Sequence, residues 1–96
     1  MTRDLHPTEG ARFLLERTED AGARATYRTV IYLPDRELAS IAKVADDGTF
    51  EVPPTGAPGD LDERLATIVK LLARDASRRR DEGLIVWPPR ILRWRK

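Results

Sequence analysis

From residue 60 to residue 82 the sequence reads as one long amphipathic helix, and any fold for this chain must supply a surface against which that helix can lie. Leu61, Leu65, Ile68, Leu72 and Ala76 recur at helical spacing, so a single apolar stripe faces inward. Asp60 is the expected N-cap, with Glu63 in the capping-box position and Asp62 adding charge near the positive end of the helix dipole. Gly83 is placed to close the helix in the left-handed conformation. Such a helix spans roughly 33 Å at 1.5 Å per residue. A strand of nine residues reaches only about 30 Å, so the last turn is expected to overhang its support. At about 100° per residue Arg79 falls on the line of Leu61 and Leu72, and the stripe therefore runs into a guanidinium that either snorkels past the core edge or meets a partner. A helix broken in its middle, or standing clear of the sheet, would contradict this architecture.

The support is expected to be a sheet. Residues 11–18 form a first strand, turn residues follow at 19–23, and 25–33 carry the β-branched and aromatic types of a second. Pro34-Asp35-Arg36 makes a tight connector to a third strand over 37–45. Asp46-Asp47-Gly48 is a hairpin signal leading into a fourth over 49–52. Pro53-Pro54-Thr55-Gly56-Ala57-Pro58-Gly59 suits neither strand nor helix and serves as the crossover. After the helix, Leu84-Ile85-Val86-Trp87 is a short apolar run available as a fifth strand, and 90–96 is ambiguous between strand, turn and tail. The expected fold class is α+β: an antiparallel four-stranded meander, with a fifth short strand allowed, and one long amphipathic helix on one face.

Ninety-six residues suffice for one core and are too few for two ordinary ones. The division expected is a flexible lead-in over 1–10, a single domain over 11–87, and a basic Trp- and Arg-containing segment over 88–96. The absence of cysteine removes disulfides, thiolate nucleophiles and cysteine-ligated metal sites. No stretch approaches the ~20 apolar residues of a membrane span, and the first residues lack the apolar run of a signal peptide, so a cytoplasmic protein without membrane contact is expected.

Charge is unevenly spread behind a formal net of +1. Residues 1–77 hold 10 Lys and Arg against 14 Asp and Glu, whereas 78–96 hold 7 against 2. A basic end of this kind attracts nucleic acid, anionic lipid or an acidic protein. Arginine makes up 14 of the 17 basic residues, a bias that a GC-rich coding background also produces.

Little in the chain supports catalysis. His6 is the single histidine, and Ser40 and Ser77 lack the strand-turn-helix surroundings of a serine nucleophile. Asp46, Asp47, Glu51, Asp60, Asp62 and Glu63 have turn and cap roles that compete with magnesium binding, and calcium-loop spacing is missing after Asp46. The loop before the helix fails as a phosphate cradle, because Pro58 deletes an amide and Asp60, Asp62 and Glu63 oppose an anion. No catalytic residue, metal site or cofactor is expected.

The leading expectation is a small noncatalytic interaction domain that meets an acidic protein or nucleic acid. Its candidate binding residues are Arg78, Arg79, Arg80, Arg90, Arg93, Trp94, Arg95 and Lys96, a mixture of guanidiniums and indole that also suits unpaired bases. Against this, the three helix-end arginines complement the helix dipole, and Trp87, Ile91, Leu92 and Trp94 are equally able to pack back on the domain. The alternative is a structural or oligomerisation module, or the accessory subunit of a larger complex. Strand two puts Ala25, Tyr27, Thr29, Ile31 and Leu33 on one face, leaving Val30 and Tyr32, with Leu14 and Ile41, as an apolar outer patch that the tail, a second copy or another protein would cover.

Overall fold

The computed structural model describes residues 10–95; the lead-in up to residue 9, the side chain of Arg95 and Lys96 lie outside the described residues. Four strands run in sequence, β1 (Ala11–Asp20), β2 (Arg24–Tyr32), β3 (Glu37–Ala45) and β4 (Phe50–Glu51), followed by α1 (Leu61–Arg74), α2 (Ala76–Asp81) and β5 (Arg90–Arg95). The sheet order is β4-β3-β2-β1-β5 with every neighbouring pair antiparallel. The α+β class and the meander are therefore as the sequence predicts. The fifth strand that the sequence allows also forms, but from 90–95, the segment left ambiguous, and not from 84–87.

The apolar run 84–87 is not a strand. It is an irregular segment in which Leu84 and Ile85 are exposed, Val86 packs partly against the core and Trp87 is buried at its end. Strand β5 instead comes from 90–95 and pairs with β1 in the register Leu15↔Ile91, Leu14↔Leu92, Phe13↔Arg93 and Arg12↔Trp94. Side-chain alternation explains the choice, because this pairing places Ile91 in the core beside Leu15 while Leu92 falls on the opposite face.

Phe13, Leu15, Tyr27, Ile31, Ala42 and Val44 line the inner face of the sheet. Against them the helical segment places Leu65, Val69, Leu72, Ala73 and Ala76, with Leu61 and Ile68 partly buried beside them. Val69 and Ala73 widen the predicted stripe to the width a sheet-facing helix needs.

The helix follows one path but bends at Asp75, between α1 and α2. Backbone bonds continue through the bend, Asp75 N–H to Leu71 O at 3.1 Å and Arg79 N–H to Asp75 O at 3.0 Å. At this point the Arg79 guanidinium reaches back about two turns and donates to Leu72 O at 2.6 Å. A side-chain donor competing at a ladder carbonyl is one of the ordinary causes of helix bending. The predicted rod is thus bent rather than interrupted, and it stays on the sheet.

Its two ends differ from each other in how well the spacing predicts them. At the C-terminus, Gly83 has φ 72°, Leu84 N–H donates to Arg79 O at 2.8 Å and Gly83 N–H to Arg80 O at 3.1 Å, the paired bonds of a Schellman cap. At the N-terminus the expected cap does not form. Asp60 makes no side-chain capping bond and instead accepts from Arg64 Nε at 2.9 Å. Asp62 is the acid that organises this end, accepting from Thr55 N at 3.0 Å, Thr55 Oγ1 at 2.7 Å and Gly56 N at 3.0 Å. Those amides are thereby closed to any external anion.

Burial pushes the Asp62 carboxyl upward, but the hydrogen bonds from Thr55, Gly56 and Ala57 outweigh it and hold the group below its ordinary 3.8. Replacing Asp62 with Ala should cost about 1–2 kcal/mol at neutral pH, measured by urea denaturation. A depressed carboxylate stabilises the fold above its unfolded-state value, so the difference from wild type should shrink as pH falls below about 4.

Candidate functional site

The basic residues predicted as a binding surface separate into two populations. Two of the three helix-end arginines are engaged by the fold itself. Arg79, half-buried, donates through Nε to Val86 O at 2.8 Å as well as to Leu72 O, so its partner is the main chain of this molecule. Arg80 pairs with Asp46 and donates to Gly22 O at 3.0 Å. Arg78 is exposed and sits between Asp75 at 3.7 Å and Glu82 at 3.4 Å.

These contacts belong to a polar seam that locks 84–89 onto the sheet. The Trp87 indole donates to Gly22 O at 2.8 Å, Arg17 donates to Trp87 O at 2.7 Å, and the Tyr27 hydroxyl donates to Pro88 O at 2.7 Å. Gly22 accepts from both Trp87 and Arg80 because it turns the chain at φ 79°, where a side chain would be strained. Arg17 reaches the seam from just before a bulge at Thr18, where the register of β1 against β2 shifts by one residue. Pairing alone gives no sign of this seam, since its members are scattered from Arg17 to Pro88.

Replacing Arg79 with Gln should destabilise the domain by about 1–3 kcal/mol, because Leu72 O and Val86 O lose a charged donor at a part-buried site. Chemical denaturation measures it. The same change at Arg78 should alter stability little, since exposed ion pairs are weak.

The second population lies on β5. Arg90 and Arg93 are exposed and form no ion pair among the described residues, and Arg93 donates only to Leu92 O at 3.0 Å. Trp94 is 57% exposed and Leu92 41%, although their backbone belongs to the sheet. The C-terminal segment therefore docks through Trp87 and Ile91 and leaves Leu92 and Trp94 outside. Arg95 contributes its backbone to β5, while its side chain and Lys96 are outside the described residues. Leu92 is a member that the sequence reading assigned to packing; the alternation Ile91, Leu92, Arg93, Trp94 is the signal that separates it from Ile91.

The predicted outer patch is only partly a surface. Leu14 and Val30 are 3% and 1% exposed, Tyr32 is intermediate and Ile41 is 57% exposed. Leu92, Leu14, Val30 and Ala39 follow one another across the sheet, so the accessible apolar area of this face lies towards its margins at Ile41 and at Leu92 with Trp94.

The acids considered for metal binding are dispersed: Asp46 pairs with Arg80, Asp47 accepts from Thr49 N at 2.9 Å in a turn, Asp60 pairs with Arg64, and Asp62 holds the crossover. Among the described residues no three metal-ligating side chains converge, and no helix is long and apolar enough to cross a membrane. Comparison of the chain with protein-family models, with curated proteins and with solved structures finds no match.

Proposed function

We propose that this chain is a noncatalytic interaction domain that binds an acidic protein partner along the β5 side of its sheet. The observation that carries the reading is an exposed tryptophan on an edge strand, beside Leu92 and beside Arg90 and Arg93, which form no ion pair among the described residues. An amphipathic aromatic flanked by arginines is the composition of a protein contact. Arg79 and Arg80 are held by carbonyl groups and Asp46, so the basic track expected from 78 to 96 is interrupted in the fold. A phosphate backbone needs a continuous one.

The test compares wild type with the Arg90→Glu/Arg93→Glu double variant in salt-titrated binding to a short peptide of alternating Glu and Val, and to single-stranded and duplex oligonucleotides. The reading expects peptide binding that weakens with salt and falls about tenfold or more in the double variant. Peptide binding indifferent to the charge reversal, or a preference for the oligonucleotides, rejects it. Exposed Ile41, Leu92 and Trp94 favour self-association as the second reading, and sedimentation showing a monomer at all concentrations excludes that.

A further inference from the structure

The two margins of the sheet are finished differently. On one side β4 is two residues long and is followed, after Val52, by Pro53-Pro54, which offer no amide for further pairing. On the other side β5 presents six residues with β1 as its single neighbour among the described residues.

One hydrogen bond determines which backbone groups of β5 face outward. Arg17 N–H donates to Pro89 O at 3.0 Å, in step with the β1–β5 register. Backbone groups of successive strand residues point to alternate sides, so Ile91 and Arg93 address β1, while Arg90, Leu92 and Trp94 turn their N–H and C=O groups to the open margin. The Arg93 guanidinium accordingly caps Leu92 O, an oxygen that no ladder partner claims. Beside this margin a groove of about 260 Å³ separates the helix from β5, lined in part by Ile68, Leu71, Ile91 and Arg93.

We propose that β5 accepts an extended acidic segment of a partner protein as a sixth strand. The proposal rests on the reading of the β5 side as the contact surface and adds the geometry of the contact. Backbone pairing to Arg90, Leu92 and Trp94 supplies sequence-independent attachment. Arg90 and Arg93 occupy opposite faces of β5, so both faces of the incoming strand are read for acids. Leu92 and Trp94 on one face, and the groove on the other, favour apolar residues between those acids. The incoming amide replaces the guanidinium at Leu92 O and frees Arg93 to meet a carboxylate. A second copy is the poorer occupant: β5 reads RILRWR, and pairing it with itself gathers arginines from both strands with no acid between them.

The experiment uses the isotope-labelled full chain, the alternating Glu and Val peptide, and amide exchange read by NMR. Bound peptide should slow exchange at Leu92 and Trp94 about tenfold or more. Leu92→Pro, which deletes an outward amide and spares the ladder to β1, should bind about tenfold more weakly than Leu92→Ala, which loses the same side chain and keeps the amide. Equal binding by the two variants, or no protection at Leu92 and Trp94, overturns strand addition. If the Arg90→Glu/Arg93→Glu variant still loses binding in that case, the contact surface itself stands. Should Leu92→Pro fail to fold, exchange protection in the wild type decides alone. Protection of the same amides without peptide, in a concentration-dependent dimer, overturns the acidic partner and assigns the margin to a second copy.

Discussion

Trp87→Ala is expected to remove about 3–5 kcal/mol of folding stability, much of what a domain of this size possesses. The indole is 1% exposed and belongs to the core on the inner face of the sheet. Truncation leaves a cavity between sheet and overlying segment, and the lost Nε1–H deprives Gly22 O of one of its donors. The damage spreads because the neighbouring Trp87 O and Pro88 O are held by Arg17 and Tyr27, whose geometry depends on the same docking. Urea denaturation should show a far lower midpoint, with Trp87→Phe intermediate because it keeps most of the apolar area and loses the donor. A loss below about 1 kcal/mol would mean that 84–89 is not docked as described.

Alkaline pH provides the second large effect. Burial pushes the Tyr27 phenol up to about 12 from its ordinary 10.0, although Arg17 and Arg79 draw it the other way. Between those two values the unfolded chain has released a proton that the folded chain retains, so unfolding is linked to proton release and stability falls as pH rises. The decline should be on the order of 2 kcal/mol across the window. Tyr27→Phe should lose about 1 kcal/mol at neutral pH, from the hydrogen bond to Pro88 O, and should lack this alkaline decline. Denaturation midpoints collected from pH 7 to pH 12 distinguish the two proteins; parallel curves would remove Tyr27 as the source.

Legibility in the sequence follows the range of the interactions. The Asp-Gly hairpin, the alternation of β2 and the Gly83 cap are local, and each appears where its residues predict. The fifth strand was misplaced because 84–87 is the more apolar run, whereas β5 is an Arg-rich edge whose identity depends on β1, its distant partner in sequence. Asp60 satisfied the spacing rule for a cap, but the crossover folds back to bring Thr55 and Gly56 to Asp62. Spacing along a helix carries no information about a loop that returns to it. Periodicity revealed that Arg79 sits on the apolar line, yet the carbonyl groups that receive it come from a segment whose path is set by Trp87. Of the candidate site, the arginines and Trp94 were visible as composition. Their separation into engaged and open groups required the fold.

Pairing of β1 with both β2 and β5 also has a consequence during synthesis on the ribosome. Strands β1 to β4 and the helix leave the exit tunnel before 90–95, so the nascent sheet has β1 as a bare flank until the last strand emerges. Closure then requires a contact between distant parts of the polypeptide, a slow kind of step during which the uncovered flank is open to wrong pairing. A chain truncated after residue 89 should therefore be aggregation-prone even though the meander is present.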